Sequence, residues 1–443
     1  MSITFKLAKE LVSTRFEDIP SGAIARLKRL FVDHVGITYM GYREVGQELC
    51  AYARDVGGPP EAVLIGDGAR VSCEVAGAIN AQNARNTDFE DSGPGLHPGP
   101  MVVHTAFAVA QRCGSSGREL LSAMALGHEF NSRFFHSSIS GPDVRHNNMT
   151  AAAIAARLLG LDLETSRRAL SLAWEFPIKA INYTRPKIEK RITSLGMGNI
   201  FSVRSGIQSA LMAAHGFESV PDEVDQQGDL YYLPKLVDRS KAFEQTENNL
   251  YLKPWPTSHG CHMVVQLIEE LVSHNELCPE DITEIRAGLP DVYLMPHQNN
   301  ATPARYWEAL YSTAWAFAMV VHGVPPGPDW FTRKRIADQA YHNTARKVVI
   351  VEHKPGTKMF QTLDLPRVEG WAEIKSRKGT FSGSKTMAQT YGSPTRPMTD
   401  EMFNGKFLRV SSPSLGDKKA VELLGALQGI EDCSNVQELA SML

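Results

Sequence analysis

From Ser21 onward, Ile24, Leu27, Leu30, Phe31, Val35 and Tyr39 recur at three- and four-residue spacing. That period predicts a helix with one buried face, opened by Pro20 and Ser21. Gly57, Gly58, Pro59 and Pro60 break the next segment, after which AVLIG at 62–66 reads as a short strand or an extended loop. Small residues crowd positions 75–84, and 119–135, 150–159, 163–174 and 204–215 also read as helices. Several of these are Ala-rich and apolar nearly all round. A helix without a polar face has to be enclosed by other helices, so the pattern predicts a bundle.

The pattern changes after about residue 265. The segments 281–294 (DITEIRAGLPDVYL), 347–353 (KVVIVEH) and 368–376 (VEGWAEIKS) alternate in polarity or carry β-branched runs, as strands do. Segments 306–322 and 331–343 read as helices between them. The expected architecture is therefore a large all-α helical domain over 1–265 and a smaller α+β domain over 266–400, with 401–443 returning to the helical domain, although its last helix, 418–428, could pack on either. No internal repeat or low-complexity segment interrupts this organisation.

A length of 443 residues suits two domains, since single cores stop growing near ~250 to 300 residues. With 43% hydrophobic residues, 21% charged residues and a formal net charge of -3, the composition gives no reason to expect nucleic acid or an anionic membrane as partner. The six cysteines, Cys50, Cys73, Cys113, Cys261, Cys278 and Cys433, form no CxxC pair, which argues for reduced, mostly buried thiols. The start MSITFKLAKELVSTRF carries charge throughout, and no run approaches the ~18 apolar residues of a membrane span. A cytoplasmic location is expected.

Chemistry concentrates between residues 80 and 111. Asp88, Glu90 and Asp91 end one apolar run, SGPGLHPGP cannot continue a helix, and apolar spacing resumes at Val102, Phe107, Ala108 and Val109. His97 is thereby placed on an irregular loop ahead of a helix. A carboxylate such as Asp88 can remove a proton beside a carboxyl group, and an imidazole can deliver one to a leaving group, so the pair suits elimination or proton exchange. His146, in DVRHNNMT, stands at a second helix mouth, where free backbone N–H groups favour a substrate carboxylate.

Lys253 lies in a rigid KPWP segment followed by a helix over 263–272. His259, Cys261 and His262 nearby lack a second ligand pair at structural spacing, so no metal is expected. The cluster Arg185, Lys187, Lys190 and Arg191 precedes SLGMGN, a Gly-containing helix start suited to an anion, or else forms a solvated charged turn. No GxxxxGK[ST], strand-borne GxGxxG or GxSxG occurs. What remains is cofactor-free acid/base chemistry on a small anionic molecule.

At these residues the chain resembles the MmgE/PrpD family, which includes 2-methylcitrate dehydratase, cis-aconitate decarboxylase and iminodisuccinate epimerase. The family pattern runs roughly Asn-Gly, a histidine, LDFDD, then His-Pro and an apolar helix. TDFED at 87–91, His97-Pro98, the His146 element, KPWP at 253–256 with His262, and Lys406-Phe407 match it in order across almost the whole chain. The resemblance implies a homodimer, each subunit having a large helical domain and a smaller α/β lid with the active site in the cleft between them. It implies action on di- or tricarboxylates without metal or organic cofactor, and it puts Asp88, His97, His146 and Lys253 where the family has active-site groups. Arg85 stands where histidine is usual and Ser92 where threonine is frequent. The mid-chain active-site lysine falls near Thr193, with Lys190 and Arg191 close by, and the later tyrosine falls at Trp315, with Tyr311 one turn away.

The resulting expectation is a cofactor-independent lyase that dehydrates a citrate-like hydroxy acid. His97 and His146 share proton removal and delivery, Asp88 orients or accepts, and Lys253 with Arg85 holds carboxylates. Ser92, Lys190, Arg191, His262 and Tyr311 complete the expected substrate contacts. Decarboxylation and epimerisation use the same carbanion and are the alternatives within this class. A non-catalytic carboxylate-binding protein, produced by the departures at Arg85, Thr193 and Trp315, is the alternative of another class.

Overall fold

The computed structural model describes all of the chain except residues 94–96, 138–144, 176–197, 227–231 and 363. Its helices begin with α1 (Ile3–Ser13), capped at Ser2, whose hydroxyl accepts from the Phe5 N–H. The predicted amphipathic helix is α2 (Ser21–Gly41), buried continuously from Leu30 to Gly41. It is followed by α3 (Gln47–Val56). The AVLIG stretch supplies β1 (Ala62–Val63), paired antiparallel with β2 (Arg70–Val71) in a two-stranded ribbon. The Asn80 side chain of α4 (Cys73–Arg85) fastens the ribbon by donating to the Val63 carbonyl and accepting from the Ile65 N–H.

At the centre of the first unit lies α5 (Gly99–Cys113), in which every residue from Gly99 to Gln111 is buried. The helices α6 (Gly117–Ser137), α7 (Arg145–Leu158) and α9 (Gly198–Ala214) pack around it with α4, and α8 (Leu163–Glu175) packs on α7 and α9. Close helix approach depends on missing side chains: a Cβ on Gly206 of α9 would come 2.4 Å from the Ala151 methyl and 2.6 Å from the Asn148 carbonyl of α7. Two short helices, α10 (Leu233–Leu236) and α11 (Glu244–Asn249), close this stretch of chain.

Two units divide the described residues, the first running to Leu250 and resuming at Val410–Leu443, the second being Tyr251–Arg409. The KPWP segment and the helix after it therefore belong to the second unit, not to the helical domain expected up to residue 265. That helix, α12 (His262–His274), packs on a four-stranded sheet of order β4-β3-β5-β6. In this sheet β3 (Ile282–Leu289) pairs parallel with β4 (Val348–Glu352) and antiparallel with β5 (Glu369–Ser376), which forms a hairpin with β6 (Gly379–Thr386). Gly370, Ala372 and Ile374 of β5 are buried alternately with more exposed neighbours, as a one-sided sheet requires. Gly370 admits α12, because a Cβ there would meet Val264 at 2.6 Å and Met263 at 2.9 Å.

Three expected elements are divided. The 281–294 run is a strand only as far as Leu289, since Pro290 removes a ladder donor and 291–294 turn into a 3-10 helix. Segment 306–322 is two helices, Tyr306–Leu310 and Thr313–Val321, because the Ser312 hydroxyl caps the second by accepting from the Trp315 N–H at 3.0 Å. Asp338 caps and separates Arg333–Ala337 and Gln339–Ala345 in the same way within 331–343. The C-terminal part contains Asp400–Leu415, Asp417–Gln428 and, beyond the expected last helix, Val436–Ala440. Three of the six cysteines, all free, are buried: Cys50, Cys73 and Cys261. Among the described residues no helix is long and apolar enough to cross a membrane.

Candidate active site

Arg85 ends α4, and the chain then makes a tight turn in which the Thr87 hydroxyl donates to the Ala84 carbonyl and accepts from the Phe89 N–H. Asp88 takes the left-handed conformation, φ 45°, a region acidic and amide side chains tolerate better than branched ones. Phe89, fully buried, anchors the turn. Arg85, Asp88 and Glu90 are consequently brought together: Arg85 Nη1 lies 2.7 Å from Glu90 Oε1 and 3.6 Å from Asp88 Oδ1. His97 joins them with its Nδ1 3.2 Å from the same Glu90 oxygen and 2.9 Å from the Asp91 carbonyl. A carbonyl only accepts, so His97 Nδ1 carries the hydrogen and its basic lone pair is on Nε2.

The Asp91 carboxylate points the other way, into the core. It accepts from the Gly99 N–H at 3.0 and 3.2 Å, capping α5 with a negative charge, and lies 3.0 Å from His34 Nε2 of α2. Only glycine fits at the helix start, since a Cβ on Gly99 would come 2.0 Å from Asp91 Oδ1 and 2.3 Å from His34 Nε2. Burial works to raise the Asp91 carboxyl, but the hydrogen bond from His34 and the charges of His34, His128 and His97 outweigh it and hold the group below the usual carboxylate range.

Behind Asp91 stands a layer of buried imidazoles. The Thr38 hydroxyl donates to the His34 carbonyl at 2.6 Å, so His104 Nε2, 3.1 Å away, donates to the Thr38 oxygen. Burial, reinforced by the charge of His34, drives His104 well below the ordinary histidine value. Burial likewise pushes His128 of α6 down to about 4, with Asp91 opposing and His34 assisting. Sequence reading missed His34 and His128, and considered His104 only as a metal partner of His97, a reading that the HPGP break before the helix argues against. The available signal was a histidine on an apolar helical face, which ordinarily marks a satisfied core residue.

The remaining expected residues fall in three places. His146 is buried at the start of α7, its carbonyl accepting from Thr150, while the next residue, Asn147, accepts from Asn131 of α6 at 3.1 Å. Ser92, directly after Asp91, is buried in an isolated β-bridge. Lys253, His262 and Tyr311 belong to the second unit. There Lys253 is fully buried and its carbonyl accepts from the Lys406 ammonium at 2.9 Å. His262 Nε2 lies 3.1 Å from the Thr257 carbonyl, and burial, followed by the positive charges of Lys253 and Lys406, pushes its pKa well down. Tyr311 is half-buried at the break between two helices. Trp315 is a core residue, fully buried and donating from its indole nitrogen to the Trp330 carbonyl at 3.0 Å. Lys190, Arg191 and Thr193 lie outside the described residues. Among the described residues, no group of three or more His, Cys, Asp or Glu side chains gathers as metal ligands.

Residues 6–233 match the MmgE/PrpD N-terminal domain and residues 255–428 the MmgE/PrpD C-terminal domain. Over 473 residues the chain is 24% identical to cis-aconitate decarboxylase of Mus musculus, covering 100% of this chain and 93% of that protein. The Homo sapiens cis-aconitate decarboxylase is 23% identical over 479 residues, with coverage of 100% and 94%. A cis-aconitate decarboxylase of Aspergillus terreus is 24% identical over 250 residues, 52% of this chain and 50% of that one. The match to the first family domain contains the TDFED turn and the match to the second contains the α+β sheet, and the chain belongs to the MmgE/PrpD family, as an enzyme of the lyase type.

Proposed function

We propose that this lyase acts without a cofactor on a small di- or tricarboxylate, through a carbanion formed or quenched by His97. The observation that carries the reading is the hydrogen-bonded state of His97: with Nδ1 donating to the Asp91 carbonyl, Nε2 is the atom that exchanges a proton with substrate carbon or oxygen. Asp88, held beside Arg85 in its strained turn, orients the reacting group. His146 is the second proton-transfer group. Lys253 holds a carboxylate, with Arg85, Ser92, Lys190, Arg191, His262 and Tyr311 as further substrate contacts. A fixed ammonium stabilises the charge that builds on a carboxylate as the adjacent C–H or C–C bond breaks. The enzyme acts as a homodimer in the cytoplasm.

Within this class, dehydration of a citrate-like acid requires one group to take the α-proton and another to protonate the departing hydroxyl, roles that His97 and His146 divide. Decarboxylation of a cis-aconitate-like acid is the second reading, supported by the names of the relatives. It needs only proton delivery to the carbon that takes up the electron pair left by CO2. Incubation in D2O with citrate, methylcitrate, aconitate and iminodisuccinate, followed by NMR, separates them. Loss of water, loss of CO2 and deuterium exchange without net loss identify dehydratase, decarboxylase and epimerase respectively. Substitution of His97 or His146 by Ala is expected to lower the rate roughly 10²-fold or more. Near-native turnover in both variants, or tight binding with no product and no exchange, overturns the assignment.

A further inference from the structure

We propose that Glu90 and Arg85 are positioning residues that tune the basicity of His97 in opposite directions, a role resting on the reading of His97 as the proton-transfer group. All three side chains meet at one oxygen, Glu90 Oε1, which is 3.2 Å from His97 Nδ1 and 2.7 Å from Arg85 Nη1. Glu90 is fully buried and Arg85 nearly so, so water screens these charges little. A carboxylate against Nδ1–H stabilises the imidazolium and makes Nε2 a stronger base. A guanidinium on the same oxygen draws on that negative charge and adds a positive one near the ring, which makes Nε2 weaker.

Among the described residues, Asp88 and Asp91 also bear on this group. Asp88 is 3.6 Å from Arg85 Nη1 and partly offsets it. The Asp91 carboxylate is turned towards His34 and the Gly99 N–H, with His128 and His97 interacting with it electrostatically, so it too favours the His97 imidazolium. Glu90 and Arg85 are also two of the three positions, Thr87 being the other, at which the chain departs from the LDFDD pattern and its preceding histidine, and they are in direct contact. A buried glutamate against Nδ1–H by itself favours the imidazolium form of His97. The arginine on the same oxygen opposes that effect, so that taking and giving a proton are balanced against each other.

The test is an NMR titration of the histidine ring signals of the full-length, substrate-free protein, with His97 assigned by its absence in His97→Gln. Glu90→Gln is expected to lower the His97 midpoint by about one pH unit, and Arg85→Met to raise it by about one unit. Arg85→Lys, which keeps the charge, should restore a midpoint near that of the unmodified protein. Loss of structural support alone would not displace the midpoint with opposite signs. Shifts of the same sign, or no shift in either variant, overturn the proposal. If Glu90→Gln does not fold, the Arg85→Met and Arg85→Lys pair decides: no rise in Arg85→Met overturns it. Midpoints that move as stated while the acidic limb of kcat/KM stays fixed support the tuning and overturn the assignment of His97 as the reacting group.

Discussion

Replacing His128 by glutamine should flatten the acid side of the stability curve. His128 is buried on α6, and its Nε2 has no hydrogen-bond partner among the described residues, so its charged form is strongly disfavoured despite the nearby Asp91. In the unfolded chain it titrates near ~6.5, whereas in the folded protein its pKa is pushed down to about 4. A histidine depressed on folding contributes nothing unfavourable above the unfolded value. Below it the unfolded chain takes up a proton that the native state refuses, so stability falls as pH drops from about 6.5 towards about 4. Between about pH 7 and about pH 5 this single group removes about 2 kcal/mol from the native state. A glutamine side chain in its place has nothing to titrate. His104, displaced in the same direction, titrates in both proteins and cancels in the difference.

The assay is urea unfolding of both proteins at several pH values, followed by far-ultraviolet circular dichroism. Fluorescence is the poorer probe, because Trp255, Trp307, Trp315, Trp330 and Trp371 lie in the second unit and only Trp174 in the first. The expected result is a free-energy difference between His128→Gln and the unmodified protein that shifts by about 2 kcal/mol in favour of the variant as pH falls from about 7 to about 5. Parallel stability curves would refute the reasoning, since they would mean that His128 protonates as easily in the folded chain as in the unfolded one.

Asp91→Ala strands His34 and the Gly99 N–H in the core and should cost about 3 to 5 kcal/mol, read as a lowered urea midpoint. Because the Asp91 carboxyl is held below its unfolded value, its stabilisation is full above about pH 4 and fades as pH falls through the folded pKa; the penalty of Asp91→Ala should shrink on acidification. Gly99→Ala drives a methyl into Asp91 and His34 and should cost about 1 to 3 kcal/mol, visible as a drop in melting temperature; an unchanged melting temperature would contradict the close packing there. Trp315→Phe removes the indole hydrogen bond to Trp330 and leaves a small void, so it should lower stability by about 1 to 3 kcal/mol while KM stays constant, and a KM change without destabilisation would place Trp315 at substrate instead.

Much of the helical unit was legible from periodicity and punctuation. The spacing of Ile24, Leu27, Phe31 and Val35 located α2, and the Gly/Pro run before Met101 correctly separated α4 from α5, because both signals are local consequences of backbone geometry. Short caps were harder: a single Ser312 or Asp338 hydrogen bond divides a stretch whose apolar pattern continues across it. His97 and Asp88 were recognisable as candidates because polar, breaker-rich sequence between apolar helices has few structural uses. Three facts needed the tertiary structure. Asp91 faces His34, 57 residues away in sequence, rather than its neighbour Asp88. Arg85 and His97 both approach one oxygen of Glu90. Trp315 is spent on the core. Sequence by itself determined which groups a turn contains and how often a helix shows its apolar face. Which buried partner each carboxylate meets, and therefore which protons it holds, depends on contacts between segments whose separation along the chain carries no trace of their distance in space.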